Sequence, residues 1–321
     1  MQVIQGTNVN QVWIDGLWRL KINGVEESSR NGRVIVVPEP VTSVYTRPWE
    51  RVLFNSKRDA NPFFHLMESL WMLAGSCDLE FVEKFNSRME EFSDDKSTLN
   101  GAYGYRWRVH FERDQILDII RMLRQDNTTR RAVLGMWDPM EDLGSKSKDI
   151  PCNTHCYFRV KGETLDMTVC CRSNDAVWGA YGANAVHFSI LHEFIARAVG
   201  MKQGTMYQIS NNFHIYERHW DFLRAPAVME DMYEHTRGRL CVPLFDISPE
   251  YRSFLNDCDR IVIGEHDRVV TPFFINVVLP AFYSWIAYKE ERYDDARDVL
   301  DEMPVCDWQL AMAAWLQRRV K

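Results

Sequence analysis

Two short segments of alternating apolar character, Tyr157 to Val160 and Leu165 to Val169, flank Lys161-Gly162-Glu163. A period of two reads as β-structure, and a three-residue polar break containing glycine reads as a hairpin turn. A hairpin fixes what meets at its open end. Asp149-Ile150-Pro151-Cys152-Asn153-Thr154-His155-Cys156 enters the first strand, and Cys170-Cys171-Arg172-Ser173-Asn174-Asp175 leaves the second. Cys152 and Arg172 are therefore expected side by side at one end of a sheet. A guanidinium beside a thiol raises the thiolate fraction, and the thiolate is the nucleophilic form. The bland alternative is that Cys152 is a small buried apolar residue.

The rest of the chain supplies partners for such a site. Pro62 to Gly75 reads as a helix, with proline in its first turn and glycine at its exit. It is apolar on nearly all sides, so Glu68 in its middle needs a reason: a solvated edge is the bland one, a catalytic carboxylate the sharper one. Ser28-Ser29-Arg30-Asn31-Gly32-Arg33 is a turn with two arginines before a strand from Arg33 to Val37. Leu99 to Arg108 reads as a glycine-punctuated aromatic loop. A helix from about Asp114 to Gln125 follows, then Arg130-Arg131 and a strand from Val133 to Trp137. After Asp175, a helix is expected from about Ala185 to Val199 with Asn184 as its N-cap. His187 and His192 fall on it and read as surface or interface residues. Thr205 to Ile209 is a strand leading to His214-Ile215-Tyr216. Two helices, Phe282 to Met303 and Asp307 to Arg319, close the chain. Residues 1 to 30 show no strong period.

Length and composition set the class. A chain of 321 residues with 46% hydrophobic and 26% charged residues can bury a large core. A net charge of -7 argues against a broad nucleic-acid surface but leaves room for a small basic pocket holding one phosphate. No stretch reaches the apolar length of a membrane span. Met1 to Gly6 shows no basic region followed by an apolar one. The eight cysteines lack paired spacing, which suggests reduced thiols, and a cytoplasmic setting is expected. Cys152, His155 and Cys156 do not match common zinc spacings, and alternation turns His155 and Cys156 to opposite faces, so no metal is expected.

Taken in order, these motifs resemble the thymidylate synthase and pyrimidine nucleotide hydroxymethylase family. Glu68 to Gly75 looks like the family's glutamate helix, and Ala102 to Arg108 like its tyrosine-glycine-x-x-tryptophan-arginine loop. Arg130-Arg131, Pro151-Cys152, Arg172-Ser173-Asn174-Asp175 and His214-Ile215-Tyr216 follow at fitting separations. The resemblance implies an α+β fold, a sheet packed by helices, in a homodimer formed through sheet-to-sheet contact. Residues 1–280 would form the catalytic domain and 281–321 a helical extension packed on it. Cys152 would add to carbon 6 of a pyrimidine nucleoside monophosphate. Glu68 would act as general acid/base through ordered water, and Tyr103 would help remove the carbon 5 proton. Arg30, Arg172 and Ser173 would hold the phosphate, with Arg130 and Arg131 reaching in from the second subunit. His214 and Tyr216 would contact the sugar. Asp175 would face 5,10-methylenetetrahydrofolate, the one-carbon donor.

Four departures from the synthases matter, the second for the choice of base and the last two for the product. Asn153 follows the nucleophile where synthases have histidine. Ala183 stands at the position of the uracil-reading asparagine, with Asn184 next to it. Phe85 to Phe92 lacks the tryptophans that shield the exocyclic methylene intermediate. The chain ends Gln317-Arg318-Arg319-Val320-Lys321 rather than in a short apolar tail. A site open to ordered water yields a hydroxymethyl group, and a dry one yields a methyl group by hydride transfer. The expected activity is hydroxymethylation, with dUMP ahead of dCMP or CMP and a phage-type origin. A true thymidylate synthase, a cysteine-dependent hydrolase and a non-catalytic nucleotide-binding protein are the competing readings.

Overall fold

The structure, a computed structural model, describes residues 1–224, 231–236, 239–247 and 250–320. Two sheets organise it. The larger has six strands in the order β1 (Gln2–Gly6), β4 (Val41–Tyr45), β9 (Lys202–Ser210), β7 (Thr164–Cys171), β6 (Asn153–Lys161) and β5 (Val133–Gly135). The smaller runs β2 (Val25–Ser29), β3 (Gly32–Val37), β10 (Phe213–Tyr216) and β8 (Asn174–Asp175). The β6–β7 hairpin forms as its alternation predicts, with Phe158 opposite Met167. A bulge between Asn153 and His155 interrupts its open end and re-aims the side chains there. The strand expected through Trp137 stops at Gly135. The amides of Met136 and Trp137 both turn to the Thr154 carbonyl, at 2.9 and 3.3 Å.

Helices cover the large sheet. The segment without a strong period contains α1 (Val9–Asn23), capped by the Asn8 side chain. It buries Val9, Val12, Trp13, Leu17 and Leu20, a helical stripe. The glutamate helix is α2 (Pro62–Ala74), capped by Asn61 and ended by left-handed Gly75. The aromatic loop is helical where it matters, as α4 (Tyr103–Arg108). Its glycine serves close packing rather than a turn: a Cβ on Gly104 would lie 2.0 Å from the Met72 carbonyl oxygen of α2. The helix α5 (Gln115–Gln125) starts at its Asp114 cap as expected. The short helices α3 (Leu79–Glu83), α7 (Asp221–Arg224) and α8 (Met232–Thr236) bridge longer elements.

Asn184 is not an N-cap. A wide helical turn over Ala176–Ala183, capped by Asp175, runs directly into α6 (Asn184–Val199). The side chain of Asn184 is thereby available for other contacts. His187 and His192, expected at the surface or an interface, are both buried within the chain. His192 bonds the Leu165 carbonyl, and burial pushes its pKa down to about 4.

Beyond α9 (Tyr251–Ile263), the expected long helix is two: α10 (Leu279–Lys289) and α11 (Tyr293–Asp301). Glu291, at φ 60°, turns the chain between them. The Ser284 hydroxyl then donates to the Ala296 carbonyl at 2.7 Å, joining the two helices. Of the C-terminal helices, α10 and α12 (Asp307–Gln317) pack on α2, where Phe63 meets Trp285 and Trp315 at 5.3 and 5.7 Å. Arg318 and Arg319 pair with Asp59, just before α2. Lys321 lies outside the described residues. Among the described residues no helix is long and apolar enough to cross a membrane.

Candidate active site

The open end of the β6–β7 hairpin brings Cys152 and Arg172 together, as the alternation requires. The Arg172 amide donates to the Cys152 carbonyl at 2.8 Å. The Arg172 guanidinium donates to the carbonyls of Pro151 and Ile150, both at 3.0 Å. Arg30, in the β2–β3 turn, comes close enough to act on the same thiol. Its neighbour Arg33 is committed to Glu26 and Glu217.

The expected thiolate is not the resting state. Burial raises the pKa of Cys152 above its ordinary value, and Asp149 adds to the rise. Arg172 and Arg30 oppose it without winning. Removing a thiolate from water costs more than two partly solvated guanidiniums return.

Asp149, three residues before Cys152, is a carboxyl group to which the motifs assign no role. Its Oδ2 accepts from the Gly101 amide at 2.7 Å, and its backbone carbonyl accepts from Asn100 at 3.1 Å. Burial lifts its pKa to about 6, against the pull of the Gly101 bond and Arg106, with Glu68 and Asp94 adding to the rise. The loop that grips it is held by Arg106, which donates to the Asn100 carbonyl and forms a fully buried, two-pronged bond to Asp142.

A chain of polar groups backs the thiol. The Tyr103 hydroxyl accepts from the Asn153 amide and from Asn153 Nδ2, at 3.2 and 2.9 Å. Asn153 Nδ2 also donates to Asn184 Oδ1 at 3.1 Å. Asn184 Nδ2 donates to Asn174 Oδ1, whose Nδ2 donates to Ser210. Asn153 Oδ1 is buried and has no partner among the described residues. Tyr103 stays neutral: burial first, then nearby Cys152, pushes its pKa well above the ordinary value. Ala183, beside Asn184, is buried and brings no polar group.

Glu68 is neither at a solvated edge nor alone. Its Oε2 faces His187 Nε2 across the α2–α6 contact at 3.1 Å. On the other flank, β10 pairs with β8 so that His214 lies opposite Asp175. His214 Nδ1 bonds Asn212 at 2.8 Å, and its ring meets Tyr216 edge-on at 5.0 Å. Ser173 is partly buried, and its carbonyl accepts from the Cys171 thiol at 3.1 Å. Arg130 and Arg131 are exposed.

The stretch 85–92 has no tryptophan, but its Arg88 lies over the Trp178 ring at 5.9 Å. A cavity of about 30 Å³ lies between α2, α6 and α12, lined by Asn55, Pro62, His65, Val186, Trp308 and Arg318 among others. None of the candidate site residues lines it. Among the described residues, one group could hold a metal: His110, Asp138 and Glu141. Arg106 contacts His110 Nε2 at 3.3 Å there, and a cation in that position opposes a metal ion.

Residues 53–237 match the thymidylate synthase family. A deoxyuridylate hydroxymethyltransferase of Pseudomonas phage M6 is 45% identical over 99% of this chain and 95% of that protein. Another, from Bacillus phage SP01, is 34% identical over 67% of this chain and 59% of that protein. The crystal structure of thymidylate synthase from T4 phage superposes with a TM-score of 0.57 at 21% identity, over 68% of this chain and 80% of that one. It shares the fold. The chain belongs to the thymidylate synthase family.

Proposed function

We propose that this protein transfers a one-carbon unit from 5,10-methylenetetrahydrofolate to carbon 5 of dUMP and releases it as a hydroxymethyl group. The observation that carries this reading is the meeting of Cys152 and Arg172 at one end of the β6–β7 hairpin. It occurs in a chain with a near-full-length relative named deoxyuridylate hydroxymethyltransferase.

Arg30, Arg172 and Ser173 hold the 5'-phosphate, guanidinium forks suiting a dianion. Arg130 and Arg131, exposed on one protomer, reach the phosphate site of a second copy. Val133 and Tyr157, paired across β5 and β6 and both more than 40% exposed, offer an apolar patch for that sheet-to-sheet contact. His214 and Tyr216 contact the sugar, and Asp175 faces the folate. The unpartnered Asn153 Oδ1 suits the N3–H of uracil, a donor that cytosine lacks at that position.

Cys152 Sγ gives up its proton, which ends on N10 of the opening folate, and adds to carbon 6, and the ring pair shifts to make carbon 5 nucleophilic. Carbon 5 bonds to the methylene of the opened folate, and its proton leaves through the Tyr103–Asn153 chain. Tetrahydrofolate departs, leaving an exocyclic methylene conjugated to the carbon 4 carbonyl. Water adds there, Sγ is expelled, and the folate is not oxidised.

Tritium at carbon 5 of dUMP tests the first half. Release into water should require methylenetetrahydrofolate and vanish in Cys152→Ser while dUMP binding persists. Release independent of folate, or unchanged in Cys152→Ser, overturns the reading.

A further inference from the structure

Glu68 and His187 sit in separate helices that pack on each other, and each presents one polar atom to the other. Glu68 Oε2 and His187 Nε2 are 3.1 Å apart, with side chains 13% and 3% exposed. Their alignment does not make a hydrogen bond, and neither atom has another partner among the described residues. Buried polar atoms require partners. Both atoms are closed to solvent, so the contact fixes the direction of the Glu68 carboxylate rather than enclosing a water; the other Glu68 oxygen, Oε1, is not among the closed atoms and is the one that can hold a water.

The surroundings make this pair a directed one. The His65 ring stands edge-on to His187 at 6.2 Å. Burial, aided by His187 and Arg58, pushes the His65 pKa well below its ordinary value, so it brings no charge. The charge of Glu68 is felt at Asp149, and the charge of Asp149 at Cys152. Asp149 thus stands between the charge of Glu68 and the thiol of Cys152 as an electrostatic link.

We propose that His187 is a positioning residue that fixes the Glu68 carboxylate, whose Oε1 holds and orients the water that adds to the exocyclic methylene. This rests on the hydroxymethylase reading. In the intermediate, carbon 6 carries Cys152 Sγ and carbon 5 carries the methylene. The water oxygen bonds to the methylene carbon while Glu68 takes one water proton. The methylene π pair moves through carbon 5 to the carbon 4 oxygen, giving an enolate. The enolate collapses, re-forming the carbonyl and the carbon 5–carbon 6 double bond and breaking the carbon 6–sulfur bond. The thiolate takes the proton held by Glu68. No oxidant or reductant enters. His187 acts through Glu68, fixing the direction of attack rather than supplying charge.

The test uses the full chain with dUMP, methylenetetrahydrofolate and 2-mercaptoethanol, which competes with water for the methylene. His187→Gln and His187→Phe are compared with wild type by carbon 5 tritium release, product mass and KM for dUMP. In His187→Phe, hydroxymethyl formation should fall at least ~10-fold more than tritium release. A thioether product should form, with KM little changed. His187→Gln, which keeps a hydrogen-bonding end, should recover part of the partition and carries the test if the phenylalanine variant does not fold. A partition identical to wild type in His187→Gln and in a folded His187→Phe overturns the inference alone. A wild-type product bearing a methyl group overturns the parent reading and the inference together.

Discussion

The amide of Arg172 donates to the carbonyl of Cys152 at 2.8 Å, while the Arg172 side chain bonds the two carbonyls before the cysteine. One arginine thus fixes the path of the backbone into Cys152 and also works against the burial that raises the thiol's pKa. Arg172→Ala should weaken dUMP binding by roughly 1.5–3 kcal/mol, the worth of a charge-assisted hydrogen bond. It should also slow alkylation of Cys152 by iodoacetamide. Arg172→Lys, which keeps the charge but not the fork, should restore alkylation better than it restores binding.

Asp149 opposes Arg172. Its ionised form raises the Cys152 pKa, so Asp149→Asn should accelerate Cys152 alkylation near pH 7.5, measured as a pseudo-first-order rate. The same group makes stability depend on pH. Its folded-state pKa of about 6 lies above the ordinary carboxylate value, so the native state holds a proton that the unfolded chain releases. Stability from this group therefore falls as pH rises from about 4 to about 6 and is level above. Urea midpoints of Asp149→Asn should gain on wild type across that window and keep the gain at neutral pH. The asparagine can still accept from the Gly101 amide.

Tyr103 accepts two hydrogen bonds from Asn153 and keeps its own proton. Tyr103→Phe should lower carbon 5 tritium release by about 10²–10⁴-fold, the range for a lost acid–base group. It should also destabilise the fold by about 1–3 kcal/mol, because two buried donors of Asn153 lose their acceptor. Equal loss of dUMP binding and tritium release would assign Tyr103 to binding instead.

Glu193 is buried between Arg51 and Arg197 and also accepts the Leu244 amide at 3.2 Å. Those guanidiniums hold its pKa below the usual carboxylate value although burial pushes it up. Glu193→Ala should cost about 3–5 kcal/mol, chiefly through the charge left unpaired on buried Arg51. Denaturant unfolding checks this.

Local pattern carried much of the fold. Alternation placed β6 and β7, and proline with glycine bounded α2, because both signals are complete within about fifteen residues. The stripe Val9, Val12, Trp13, Leu17 and Leu20 was present in the sequence too, but interleaved polar residues masked it. Gly104 looked like a turn residue because what it accommodates, the Met72 carbonyl, belongs to another helix. The site divides in the same way. Cys152 and Arg172 were legible through their hairpin. His187 was not, since its partner Glu68 lies on a distant helix and an apolar helix gives a histidine no direction. The raised Cys152 pKa was hidden as well: neighbouring cations can be read from sequence, whereas burial depends on the whole fold.

The most direct measurement is the mass of the product formed from dUMP and methylenetetrahydrofolate, with dCMP, UMP and CMP run in parallel and folate absorbance followed. The expected result is a gain of one formaldehyde equivalent on dUMP, with tetrahydrofolate released unoxidised. A gain of a single methylene unit, with dihydrofolate absorbance rising in step, would contradict the account.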